Sequence, residues 1–185
     1  MRTARNRVCP VELADSLDSR IRRWLQDPHK ILGSYIEEGM TVLDLGCGPG
    51  FFAVAMAQMV GPFGRVIAAD LQEGMLQKLE DKIAGTELEP RITLHKCEQD
   101  EIGVSQEVDF VLAFYVMHEV PGQADLLRQI GSIVKPNGRL LIVEPPLHVS
   151  RRAFAETVRQ AQQAGFMPIA RPRLLFNRAV LLKKA

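Results

Sequence analysis

The chain has 185 residues, 46% of them hydrophobic and 24% charged, which suits one compact domain with its own core and leaves too little for a second. Its 23 Lys+Arg against 22 Asp+Glu give a formal net charge of +1, so no global field draws it to nucleic acid or an anionic membrane. No apolar run approaches the roughly 20 residues that cross a bilayer, the N-terminus lacks the apolar stretch of a signal peptide, and Cys9, Cys47 and Cys97 are too scattered for a disulfide framework or a cysteine zinc site; a cytoplasmic protein with reduced thiols is expected.

Taken in chain order, Leu13, Leu17, Ile21, Trp24 and Leu25 fall at helical spacing, and Asp27-Pro28 reads as an N-cap with proline at the first position of a further helix. Residues 1–39 are therefore predicted as a helical cap, and residues 40–185 as the main domain. From about residue 40, short runs rich in Val, Ile and Leu alternate with segments of helical period. Strands are predicted over Thr41 to Leu45, Arg65 to Asp70, Arg91 to Lys96, Asp109 to Phe114 and Arg139 to Glu144. Each is nearly all apolar, as in a parallel sheet covered by helices on both faces. The crossover helices are predicted over Gly50 to Val60, Glu73 to Ala84 and Ala124 to Val134, with Gly61-Pro62-Phe63-Gly64 and Lys135-Pro136-Asn137-Gly138 as turns into the next strand. Ser150 caps a helix to Ala164, and Met167 to Phe176 and Ala179 to Lys183 read as two antiparallel strands joined by Asn177-Arg178.

The stretch Val42-Leu43-Asp44-Leu45-Gly46-Cys47-Gly48-Pro49-Gly50-Phe51-Phe52 is a strand running through G-x-G-x-G into a helix. Glycines there let the backbone turn sharply and let a ligand approach without meeting a Cβ. Asp70 ends the second strand 20 residues beyond Gly50, where a carboxylate can accept hydrogen bonds from both hydroxyls of a ribose. An adenosine-containing ligand fits this arrangement.

These motifs resemble the class I S-adenosylmethionine-dependent methyltransferases, in particular the small-molecule branch similar to the ubiquinone and menaquinone biosynthesis enzymes. The resemblance covers residues 40 to 185: Val42 to Phe52 is similar to the family's first motif, Ala68-Ala69-Asp70 to its ribose-binding strand end, Asp109 to His118 to its fourth strand and substrate-side loop, and Lys135 to Arg139 to its turn into strand five. It implies a Rossmann-like, doubly wound, mostly parallel seven-stranded sheet with a C-terminal antiparallel hairpin. It further implies that S-adenosylmethionine is the cofactor and S-adenosylhomocysteine the product. Asp44, Gly46, Cys47, Gly48 and Gly50 would surround the methionine moiety, Asp70 would hold the ribose, and Leu71, Met75, Glu98 and Gln99 would line the adenine. Ala113 and Phe114 would border the methionine end, with Tyr115 and His118 facing the substrate. Glu98 stands where the family often has an aspartate, and so reaches further.

Methyl transfer from a sulfonium is an in-line displacement, which needs a nucleophile held behind the methyl and water kept out. A hydroxyl or acidic-carbon acceptor must also lose a proton, and His118 has the pKa range and the strand-end position of a general base; the alternative is a histidine that orders the loop before Pro121. Tyr115 offers its ring face to a cation or packs. His148 falls at the same sheet edge as His118, but without compact ligand spacing no metal is predicted. The segment Ala113-Phe114-Tyr115-Val116 lacks the Asn/Asp-Pro-Pro-aromatic motif of adenine and glutamine amino-methylation and the Pro-Cys of cytosine C5 enzymes. Arg171, Arg173, Arg178, Lys183 and Lys184 suit either RNA contact or an outward strand face.

The expectation is thus a methyltransferase acting on a small apolar or aromatic acceptor. Three closures of its site are compatible with the sequence: a lid that includes Trp24, Tyr35 and Tyr115, the second subunit of a homodimer, or a large substrate. The competing readings are a noncatalytic S-adenosylmethionine-binding protein and a nicotinamide-dependent oxidoreductase, the latter disfavoured by G-x-G-x-G in place of G-x-G-x-x-G and by the C-terminal hairpin.

Overall fold

A computed structural model describes residues 26–175 and 177–185. The apolar runs become β1 (Thr41–Leu45), β2 (Arg65–Asp70), β3 (Ile92–Lys96), β4 (Val108–Phe114) and β5 (Val134–Glu144), all parallel. With β6 (Phe166–Ala170) and β7 (Arg178–Lys184) they form a seven-stranded sheet of order β3-β2-β1-β4-β5-β7-β6, in which β7 runs antiparallel to both neighbours.

Alternate strand residues feed two cores, one on each face. Val42, Val66, Phe110 and Leu141 pack with α1 (Pro28–Leu32), α2 (Phe51–Met59) and α3 (Glu73–Ile83) through Leu32, Phe52, Met56 and Leu79. Leu43, Ile67, Val111 and Leu140 pack with α4 (Gln123–Ile133) and α5 (Arg151–Gln163) through Leu127, Ile130, Phe154 and Val158. The predicted caps form: the Asp27 carboxylate accepts from the His29 N–H at 3.0 Å ahead of Pro28, and the Ser150 hydroxyl oxygen accepts from the Ala153 N–H at 3.1 Å. Ile31, Leu32 and Ile36 join the core under α2, so the described part of the predicted cap packs against the sheet layers. Leu13 to Leu25, with Trp24, lie outside the described residues.

Two boundaries differ from expectation. The sixth strand stops at Ala170, short of the expected end, because Pro172 has no N–H to give a ladder and restricts Arg171 before it, so 171–175 and 177 lie outside any strand and the connection is longer than a two-residue turn. The fifth strand starts at Val134 rather than Arg139, since the pairing passes from Val108↔Val134 to Phe110↔Arg139 and Lys135 to Gly138 bulge out, with Asn137 at φ 66°.

Candidate active site

Helix α2 follows β1 onto one face of the sheet and α4 follows β4 onto the other, so a crevice opens between the carboxyl ends of these adjacent strands. A cavity of about 1280 Å³ occupies it.

The turn after β1 is stitched to β2. The amides of Gly46 and Cys47 both donate to the Ala69 carbonyl, at 2.8 and 3.0 Å, Gly48 N–H donates to Asp70 Oδ2 at 2.9 Å, and Gly50 N–H donates to the Cys47 carbonyl at 3.1 Å. Lys82 Nζ of α3 ties down the Pro49 carbonyl at 2.6 Å. With its amides turned inward and Pro49 lacking one, this turn offers no ring of N–H groups to a pyrophosphate, and two carboxylates, Asp44 and Asp70, stand in the same wall. That chemistry suits a cationic ligand and opposes a nicotinamide dinucleotide.

The glycines divide by task. Gly46 is at φ +69°, and a Cβ there would sit 2.4 Å from Val116 Cγ2, so its bareness lets the turn after β4 close on the cavity. Gly50 is at φ +83° and a Cβ would meet Leu79 Cδ1 at 2.3 Å, so it serves the packing of α2 on α3. Gly50 lies off the cavity wall, and so does Ala113, which is fully buried in the core on the α4 side; these two do not join the other expected cofactor residues. Asp44, Gly46, Cys47, Gly48, Asp70, Leu71, Met75, Glu98, Gln99 and Phe114 all line the cavity.

Asp70, expected to hold a ribose, is also bonded within the protein. Its Oδ1 accepts from the Gln72 N–H at 2.8 Å while Oδ2 holds Gly48, so one carboxylate joins the glycine turn to the start of α3. Burial raises its pKa above 3.8, opposed by those backbone N–H groups. Beside it, burial lifts the Cys47 thiol well above its ordinary value and the Cys97 thiol to about 11. Both are protonated, soft wall atoms at neutral pH, not nucleophiles. The loop carrying Glu98 and Gln99 is clamped by Gln129 of α4, whose Oε1 accepts from the Ile102 N–H and whose Nε2 donates to the Asp100 carbonyl, each at 2.8 Å.

The remaining wall is aromatic. Phe51, Phe52, Phe114 and Tyr115 form a continuous chain with ring centroids 5.0, 4.5 and 4.5 Å apart, and all four line the cavity. Tyr115 has a left-handed backbone, φ 65°, a conformation that costs a side-chain-bearing residue on the order of 1–2 kcal/mol. Its hydroxyl donates to Asn177 Oδ1 and accepts from Gln26 Nε2, the latter at 2.8 Å, so its ring, rather than a free hydroxyl, is what it presents to a ligand. His118, on the turn Met117–Glu119, and His148, after β5, line the same side with their rings 5.7 Å apart. Tyr35 is not in this wall; it stacks on Phe110 in the core. Among the described residues no three His, Cys, Asp or Glu side chains gather closely enough to hold a metal ion, and no helix is long and apolar enough to cross a membrane. Arg178 and Lys184, two of the C-terminal cations, bond internally to the carbonyls of Val149 and Val134 at 2.9 and 2.7 Å.

A family model described as a methyltransferase domain matches residues 36–169, most of the chain. The chain belongs to the class I S-adenosylmethionine-dependent methyltransferases. Among curated proteins, demethylmenaquinone methyltransferases of Halalkalibacterium halodurans and Lactobacillus johnsonii are 30% and 33% identical over 125 and 110 residues, covering 68% and 59% of this chain and 50% and 45% of theirs. The chain thus spans about half the length of the curated relatives it matches. A crystal structure of an S-adenosylmethionine-dependent methyltransferase from Aquifex aeolicus is 26% identical, with a TM-score of 0.86 over 96% of this chain and 100% of that one. Aeropyrum pernix fibrillarin with natively bound S-adenosylmethionine shares the fold, with a TM-score of 0.66 at 15% identity over 80% of this chain and 68% of its own.

The residues present fit the family's cofactor. Buried carboxylates face where its charges and ribose would lie, and Leu71, Met75 and the two protonated thiols give an apolar cleft suited to a purine. Sequence reasoning missed the paired use of Phe51 and Phe52 as wall, whose signal was two aromatics directly after the glycine turn. It missed the Gln129 clamp and the partner of His118, which no local pattern announces because each spans distant segments.

Proposed function

We propose that this protein transfers the methyl group of S-adenosylmethionine to a small, flat, aromatic or quinone-like acceptor bearing an ionisable hydroxyl. The single observation that carries this reading is the aromatic chain Phe51-Phe52-Phe114-Tyr115, which runs along the cavity from the glycine turn to the side where His118 stands. Rings at these separations favour stacking with a planar guest, and the His118 and His148 imidazoles and the Glu119 carboxylate line the same cavity. The demethylmenaquinone methyltransferases among its relatives support a quinol-like acceptor by their names.

When bound, S-adenosylmethionine supplies an electrophilic methyl on a sulfonium. This chain's residues then have three tasks. Asp44, Asp70 and the adenine-side wall hold the donor in one orientation, the aromatic chain stacks the acceptor and excludes water, and His118 stands near the acceptor's polar edge. Positioning carries most of the burden, and no covalent intermediate with the protein is required.

The test is incubation with S-adenosylmethionine carrying a labelled methyl and naphthohydroquinone kept reduced, followed by mass analysis of the product. A mono-methylated naphthohydroquinone and a stoichiometric amount of S-adenosylhomocysteine are expected. Cofactor binding without transfer to naphthohydroquinone or to catechol would overturn the acceptor assignment and favour a noncatalytic binding protein.

A further inference from the structure

We infer that Glu144, at the end of β5, is the positioning residue that makes His118 a general base, so that the acceptor must be one that gives up a proton as it is methylated. The inference rests on the methyltransferase reading above for its reaction.

His118 Nδ1 and Glu144 Oε2 are 2.5 Å apart. An ionised carboxylate only accepts, so the proton between them sits on Nδ1 and the neutral imidazole has an unprotonated Nε2. No described residue bonds that second nitrogen, and the His118 side chain is 22% exposed at the cavity wall, so Nε2 is the face of the ring left for a ligand. Glu144 is 1% exposed, and its Oε1 has no hydrogen-bond partner among the described residues. A buried carboxylate that needed only to be satisfied would engage both oxygens, and a purely structural position of that burial is better filled by an apolar side chain. All of the polar interaction of this buried group therefore runs through His118.

Among the described residues the other groups facing the ring are Glu119 on the same turn and the His148 ring, nearly perpendicular, from the loop after β5. Both carboxylates favour the imidazolium, the Glu144 hydrogen bond most, and burial opposes them; the net effect raises the His118 pKa above 6.5. That direction suits a stronger base and stabilises the cation formed when it takes a proton.

The acceptor's O–H proton passes to His118 Nε2, the acceptor's oxygen, or the ring carbon conjugated to it, forms the new bond to the methyl carbon, and the carbon–sulfur bond breaks with its electron pair staying on sulfur; where carbon is methylated, that carbon then gives its hydrogen up as a proton and the oxygen takes one, which restores the aromatic ring. The imidazolium, still bonded to Glu144, later returns its proton to water. Acceptors that become onium cations on methylation, such as thioethers or tertiary amines, have no such proton and gain nothing from this pair.

Nitrogen-15 NMR of the histidines in the wild-type protein tests the pair without any acceptor. The expected neutral tautomer of His118 is Nδ1–H, with a titration midpoint above 6.5. In Glu144→Gln the tautomer should become mixed and the midpoint fall, while S-adenosylmethionine affinity by calorimetry stays within about twofold. With naphthohydroquinone as acceptor, Glu144→Gln should lower kcat at least about tenfold with KM little changed and move the acid limb of the pH–rate profile downward. His118→Ala should lose on the order of 10²-fold or more. A wild-type Nε2–H tautomer, a midpoint indifferent to Glu144→Gln, or an unchanged kcat and pH profile in that variant would each overturn the assignment. Wild type that binds S-adenosylmethionine and shows the Nδ1–H tautomer, yet methylates no hydroxylated aromatic, would instead count against the acceptor class.

Discussion

Asp70 illustrates how one side chain links fold to ligand. Its two oxygens already hold the Gly48 and Gln72 amides, and a carboxylate has lone pairs left for a ribose. In the proposed ribose-holding role its removal costs the ligand contacts as well as releasing the glycine turn, so Asp70→Ala should weaken S-adenosylmethionine binding by about 1–3 kcal/mol, roughly 5- to 150-fold in Kd. Calorimetry checks this; an unchanged Kd would mean that the carboxylate serves the turn alone. His118 makes a different prediction, about pH. Its folded pKa is raised above 6.5, chiefly by the Glu144 hydrogen bond, so the folded state binds its proton more tightly than the unfolded chain. The stability this contributes is fully present below pH 6.5 and is lost as pH rises through the raised folded value. The difference in thermal midpoint between wild type and His118→Ala should therefore shrink as pH rises through that window, and a difference that grew would reverse the sign of the coupling.

At the scale of elements, the site is a set of turns pinned by neighbours, and the pins differ in how far they reach along the chain. Gln129 projects from α4 to hold both Asp100 and Ile102 in the loop after β3, which presents Glu98 and Gln99 to the cavity. In Gln129→Ala the Ile102 amide should lose hydrogen-exchange protection, and S-adenosylmethionine should bind more weakly by about 1 kcal/mol as the adenine side loosens. An Ile102 amide as slow to exchange as in wild type would show the loop to be held by His95, whose Nε2 lies 2.7 Å from the Ile102 carbonyl. The same distinction explains what could be read ahead of the structure. The strands were legible because burial on both faces demands continuous apolar runs, and Asp27-Pro28 and Ser150 were legible because caps act within one turn. Gly50 was legible as a sharp-turn position but not in its task, since the atom it avoids belongs to Leu79 on another helix. Glu144 read as the last residue of a strand; its meaning depends on a histidine 26 positions earlier that the parallel pairing of β4 and β5 brings beside it. The C-terminal hairpin was expected in kind, and its long loop was missed because Leu174, Leu175 and Phe176 extend a strand-like apolar pattern past the proline that ends it.

For the whole molecule, the question is which ligand the crevice between β1 and β4 stabilises. Many doubly wound sheets place an adenosine ligand there, so position alone does not choose between a methyl donor and a dinucleotide. The choice lies in charge and in donors: the amides of Gly46, Cys47, Gly48 and Gly50 are all turned to acceptors within the protein, and Asp44 and Asp70 stand in the wall where a pyrophosphate would have to pass. A cationic sulfonium ligand meets attraction there, whereas a diphosphate meets two carboxylates and no free amide from the turn. A ligand that binds only the folded state adds about 2.7 kcal/mol when present at ~100 times its Kd. For a chain of this length each kcal/mol moves the midpoint by about 2–4 °C, so S-adenosylmethionine or S-adenosylhomocysteine at such concentrations should raise Tm by about 5–10 °C. NAD and NADP at equal concentration should leave Tm where it was. A rise with the nicotinamides alone would mean that the turn opens its amides on binding, and the inward hydrogen bonds that define the site would then belong only to the empty protein.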